Sequence, residues 1–138
     1  MRLLFLLALL GVGFVCSPGN ADSKGAVVQP DISRSGRDFL EICSTVDSDQ
    51  KGDAARIQND AACLGWVEGF RDGFTVYDEL LGVPLRDRIV CIPGGVTSVQ
   101  IVRVMKKYIA ENPDKAHRAT RLVASLALAG AFSCKARK

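Results

Sequence analysis

Residues 57–81 read Ile57-Gln58-Asn59-Asp60-Ala61-Ala62-Cys63-Leu64-Gly65-Trp66-Val67-Glu68-Gly69-Phe70-Arg71-Asp72-Gly73-Phe74-Thr75-Val76-Tyr77-Asp78-Glu79-Leu80-Leu81. Ile57, Ala61, Leu64, Val67, Phe70, Phe74, Tyr77 and Leu81 recur at steps of three and four, the period of one helix face. This predicts a long amphipathic helix over about 53–81. Beside that stripe runs a second row at steps of four: Ala61, Gly65, Gly69 and Gly73. An interior glycine costs a helix about 1 kcal/mol against alanine. Three in one row therefore predict helix close-packing, against either the last helix of the chain or a twin subunit. Glu68, Arg71 and Asp72 are interleaved with the row, which argues against a dimer face buried in a membrane.

Working toward the C-terminus, residues 80–95 form a joint punctuated by Gly82, Pro84, Pro93 and the Gly94-Gly95 pair. Thr97 followed by Gln100 is a capping box, so a third helix is expected to start there and end near Glu111. Its inward positions are Ile101, Val104, Met105, Tyr108 and Ile109. Asn112 then reads as an N-cap and Pro113 as the first residue of a fourth helix, leaving almost no connection. Helices three and four are thus expected to form an antiparallel pair. Ala119, Leu122, Val123, Leu126, Ala127 and Gly130 make up the buried side of the fourth.

Toward the N-terminus, Phe39, Ile42 and Cys43 suit a short first helix over 36–44, followed by a polar loop over 45–53. Residues 22–34 have no continuous apolar face and read as a flexible leader. Ahead of it, Arg2 precedes an uncharged apolar run over 3–15, and Gly19-Asn20-Ala21 is a small-residue cleavage site. Residues 1–21 are therefore read as a signal peptide cut after Ala21. The run is too short for a membrane-spanning helix, which needs about 20 apolar residues, and the bulky Phe14-Val15 before Cys16 disfavour lipid attachment. Residues 135–138 form a basic tail.

These readings give a 35–134 domain that is all-α, a small bundle of about four helices stapled by disulfides. Of the five cysteines, four follow the cleavage site, an even set that suits an oxidising compartment. Four cysteines allow three connectivities. Cys91 precedes helix three and Cys134 follows helix four, so an antiparallel pair places them at one end. A nine-residue loop lets Cys43 reach Cys63, which lies about 15 Å into helix two.

The formal net charge is +3 in 138 residues, and the cations are scattered among acids, which excludes a nucleic-acid footprint. No C-x-x-C occurs, and His117 is the single histidine, so no metal site or cofactor is expected. His117 reads as a solvent-facing residue early in helix four. Neither Ser98 nor Ser125 lies in a nucleophile elbow, and the carboxylate pairs are spaced as helix surface charges. No catalytic set is assembled, so a binding protein is expected rather than an enzyme. The joint combines apolar groups with charge at Pro84, Leu85, Arg86, Asp87 and Arg88, and arginine is enriched in interface hot spots. That segment is the expected partner-binding edge.

The run Cys63-Leu64-Gly65-Trp66-Val67-Glu68-Gly69-Phe70-Arg71-Asp72-Gly73, then Cys91-Ile92-Pro93, then the closing Phe132-Ser133-Cys134, resembles the Rap1a/Tai family of type VI secretion immunity proteins. The resemblance covers about 39–134. It implies a small helical periplasmic protein, often a homodimer, that binds a peptidoglycan amidase effector and blocks its cleft. Two further classes fit the same residues: an acid-stress periplasmic chaperone of the HdeA type, and an envelope interaction module without a toxin partner.

Overall fold

The computed structural model describes residues 30–48 and 52–134. It contains α1 (Gly36–Ile42), α2 (Ala54–Leu80), α3 (Ser98–Glu111) and α4 (Thr120–Ala131), with single 3-10 turns at Leu85–Asp87 and Pro113–Lys115. No strand occurs among the described residues, so the architecture is all-helical. The expected signal peptide, the first part of the leader and the basic tail lie outside the described residues.

Local chemistry starts three of the helices. Ser35 caps α1 and accepts from the Asp38 N–H, and Asp53 caps α2 and accepts from the Arg56 N–H. Thr97 and Gln100 form both halves of the capping box at α3. The core is built where the four helices meet, with Phe39, Val67, Ile101, Met105 and Leu128 essentially inaccessible to water. Each such side chain contributes about 1.5–3 kcal/mol by leaving water. Cys43 is bonded to Cys63 and Cys91 to Cys134, with Cα separations of 5.3 and 5.0 Å. The second bridge brings the start of α3 to the end of α4, so the pair is antiparallel.

Several expectations need correction. The fourth helix starts at Thr120, not Pro113, because residues 112–119 are engaged elsewhere. Asn112 does not cap that helix: its side-chain amide donates back to the Tyr108 carbonyl. The carbonyls of Ala116 and Arg118 accept from the N–H groups of Arg37 and Gly36 and so serve the first turn of α1. A Cβ on Gly36 would lie 3.1 Å from the Ala116 oxygen, which explains the glycine at that crossing. The end of the expected flexible leader is also held: the Ser33 carbonyl accepts from Thr120 N–H, and Ile32 packs against the core.

The buried face of α4 centres on Val123, Ala124, Ala127 and Leu128, while Leu122, Leu126 and Gly130 are exposed. Apolar residues flank the shared positions on both sides, so sequence spacing alone left the rotation of this helix open. On α3, Val102 is buried, whereas Val104 and Tyr108 are only half-buried. On α2 only Cys63, Val67 and Asp78 are fully buried, and Ile57, Ala61, Tyr77 and Leu81 are exposed. The reason is length: α2 spans about 40 Å against about 21 Å for α3, so it overhangs its neighbours.

Candidate functional site

The overhanging C-terminal part of α2 and the joint that follows it form the most exposed apolar region described. An aromatic ladder leads to it from the core. Phe39 meets Trp66 edge-on at 6.1 Å, Trp66 stacks on Phe70 at 5.0 Å, and Phe70 meets Phe74 edge-on at 5.2 Å. Trp66 stands outside the predicted stripe, and its spacing of four residues to Phe70, repeated from Phe70 to Phe74, was the available signal.

At the end of α2 the chain reverses through Gly82, whose φ of +58° favours glycine. The Val83 N–H donates to the Asp78 carbonyl at 2.8 Å. Arg88 returns toward the helix: its Nε donates to the Val83 carbonyl at 3.2 Å and lies 3.6 Å from the Asp78 carboxylate. Beyond it Val90 is buried, and the Cys91 N–H donates to the Phe132 carbonyl at 2.7 Å beside the bridge to Cys134. The segment between these two anchors is thus tied at both ends, and its middle is the 3-10 turn Leu85–Asp87.

The five predicted partner-binding residues divide into two groups. Pro84, Leu85, Arg86 and Asp87 are exposed, with Arg86 and Asp87 paired only to each other at 3.6 Å. Arg88 is half-buried and bonded back to Val83 and Asp78. Two grooves flank α2 here. One, of about 480 Å³, lies between Arg71, Phe74 and Asp78 on the helix and Arg88, Pro93 and Gly94. The other, of about 570 Å³, lies between Gly69, Gly73 and Tyr77 on the helix and Val83 and Ile89.

The predicted close-packing row is open. Ala61 is exposed, and a Cβ added at Gly65, Gly69 or Gly73 would meet nothing within 4 Å. The last helix therefore does not cover this row, because α4 packs on α3 and α1 instead.

Electrostatics at the opposite end are structural. The Asp38 carboxyl is held at about 2 by hydrogen bonds from Arg34 and Ser35. Asp47 is held below the usual carboxylate range by a 2.7 Å bond from Lys106, which also donates to the Ser44 carbonyl and so fixes the turn after α1 onto α3. His117 is exposed. Among the described residues, no group of three or more His, Cys, Asp or Glu side chains is placed to hold a metal ion. No helix there is long and apolar enough to cross a membrane.

A family model described as Rap1a immunity proteins matches residues 35–134, from the cap of α1 to the last bridging cysteine. The chain belongs to the Rap1a immunity protein family. The Rap1a match takes in all four helices, both bridges and the exposed joint. No curated protein and no solved structure matches the chain.

Proposed function

We propose that this chain is an immunity protein of a type VI secretion system, exported to the periplasm by residues 1–21, which binds a peptidoglycan amidase effector and occludes its active site. Membership of the Rap1a family across residues 35–134 is the observation that carries this reading. Two disulfides suit an oxidising compartment.

The joint is the binding edge in this reading. It is anchored by Arg88 on one side and by the Cys91–Cys134 bridge on the other, and it projects Leu85, Arg86 and Ile89 into solvent. A segment already ordered before its partner arrives loses little conformational entropy on binding. Blocking a cleft needs covering surface and no reaction, so the protein acts as an inhibitor and not as an enzyme.

The test is co-expression with a periplasm-targeted amidase encoded beside this protein's gene. Protection from lysis together with a stable purified complex is expected. Continued lysis, with no complex detectable at micromolar concentrations, overturns the proposal.

A further inference from the structure

Asp78 is the one buried acid of α2, and it lines both grooves beside that helix. Arg88 Nε stands 3.6 Å from its carboxylate, beyond hydrogen-bond reach, and is spent on the Val83 carbonyl. Among the described residues the Asp78 carboxylate therefore has an ion pair but no hydrogen bond. A carboxylate so far withdrawn from water calls for donors. The two grooves differ in what they hold. That on the Arg71 side already contains two cations, Arg71 and Arg88. That on the glycine side contains none: its charges are the carboxylates of Asp78, buried, and Asp87, at the exposed rim. Apart from the Tyr77 hydroxyl, the rest of its lining is apolar surface or glycine.

We propose that the glycine-side groove receives an arginine side chain of the effector, its stem along the aromatic wall and its guanidinium donating to Asp78. That the arginine belongs to the effector rests on the immunity reading; the recognition chemistry does not. Charge complementarity selects a cation, because both charged groups of the groove are acids. The wall selects arginine over lysine. A guanidinium is planar, weakly hydrated and able to lie on the aromatic surface of Phe70, Phe74 and Tyr77, while its fork of donors suits a carboxylate.

Two features of the fold make room for it. Gly69 and Gly73 line the groove, and a Cβ on either would meet nothing within 4 Å, so packing inside the chain does not require these glycines. Their bare backbone instead leaves space for the incoming stem. The far wall is fixed in advance, since the Val83 N–H donates to the Asp78 carbonyl at 2.8 Å and Arg88 holds the Val83 carbonyl. At about 570 Å³ the groove is within the range of clefts that bind small ligands, about 300–1,000 Å³. At its rim Asp87 is paired only with the exposed Arg86, at 3.6 Å, and can turn to a second cation.

NMR titration of the isotope-labelled, disulfide-intact protein, residues 22–138, with N-acetylarginine amide tests the pocket, with N-acetylcitrulline amide as the neutral isostere. Saturable shifts of backbone amides within residues 69–89 are expected, with a millimolar dissociation constant, and the citrulline compound should bind at least tenfold more weakly. Asp78→Asn should remove that preference. Gly73→Phe puts a side chain into the groove and meets nothing in the fold, so it should abolish binding of both probes without lowering the melting temperature. Equal affinity for the two probes, or binding indifferent to both variants, overturns the proposal. So does binding that appears only once residues 135–138 are removed, which assigns the groove to the chain's own basic tail. A doubled mass in light scattering that Gly73→Phe returns to one chain, with no response to the arginine probe, assigns it to a second copy and also overturns it. In the effector complex Gly73→Phe should weaken affinity at least tenfold, and a complex indifferent to it overturns the assignment to the effector. Selective arginine binding by a protein that neither protects from the amidase nor binds it upholds the pocket and sinks the immunity reading alone.

Discussion

Arg88 Nε stands 3.6 Å from the carboxylate of Asp78, whose side chain is only 9% exposed, and the same nitrogen donates to the Val83 carbonyl. The pair fastens the joint back onto the helix from which it has just departed.

Substituting Arg88 by Ala leaves the nearly buried Asp78 carboxylate without its cation. The expected loss is about 1–3 kcal/mol, because Arg88 itself is partly solvated. A domain of this size should then melt at least several degrees lower in a thermal scan. Arg86→Glu, at an exposed position paired only with its neighbour, should leave the melting temperature within about 2 °C, since exposed pairs contribute about 0–1 kcal/mol. In the proposed complex it should weaken effector affinity tenfold or more.

Reduction should cost the protein much of its stability. The bridges close loops of 20 and 43 residues, for which chain entropy gives about 3 and about 4 kcal/mol. Cys91→Ser with Cys134→Ser should lower the denaturant midpoint. It should also speed amide exchange at residues 81–95 more than in α3, which measures the loosened joint directly.

Acid should release α1. The Asp38 carboxyl sits at about 2 in the fold against an ordinary 3.8, so the unfolded chain takes up its proton first as the pH drops. The stabilisation is complete above the ordinary carboxylate value and is lost as the pH falls toward 2. Asp38→Asn should therefore be less stable than the parent at pH 6 and should close much of that difference by pH 2 in urea titrations.

Two glycines should respond oppositely to alanine. Gly36→Ala places a Cβ 3.1 Å from the Ala116 carbonyl, itself bonded to Arg37 N–H, and should destabilise by about 1–3 kcal/mol. Gly130→Ala, in open helix, should stabilise by up to about 1 kcal/mol. Parallel urea melts compare the two.

The elements that were legible in the sequence rest on short-range chemistry. The Thr97–Gln100 box, the acidic cap at Asp53 and the three-and-four spacing along residues 57–81 act within a turn or two of helix. The bridge partners could be chosen because helix direction alone brings Cys91 and Cys134 together. What could not be read depended on distant partners. Residues 112–119 look like a helix start until the first turn of α1 claims the carbonyls of Ala116 and Arg118. Leu122 and Ala124 are both apolar, and only the position of α3 decides which of them turns inward. At the candidate site, the charge and apolar content of the joint were visible, but nothing local separates Arg88 from Arg86. The difference arises from the fold of the chain back toward Asp78.

Cys63 follows its partner by 20 residues, whereas Cys91 must wait for Cys134, 43 residues further along the chain. Where the chain enters an oxidising compartment N-terminus first, maturation is therefore ordered in time: the scaffold bridge closes early, and the joint after α2 becomes rigid last.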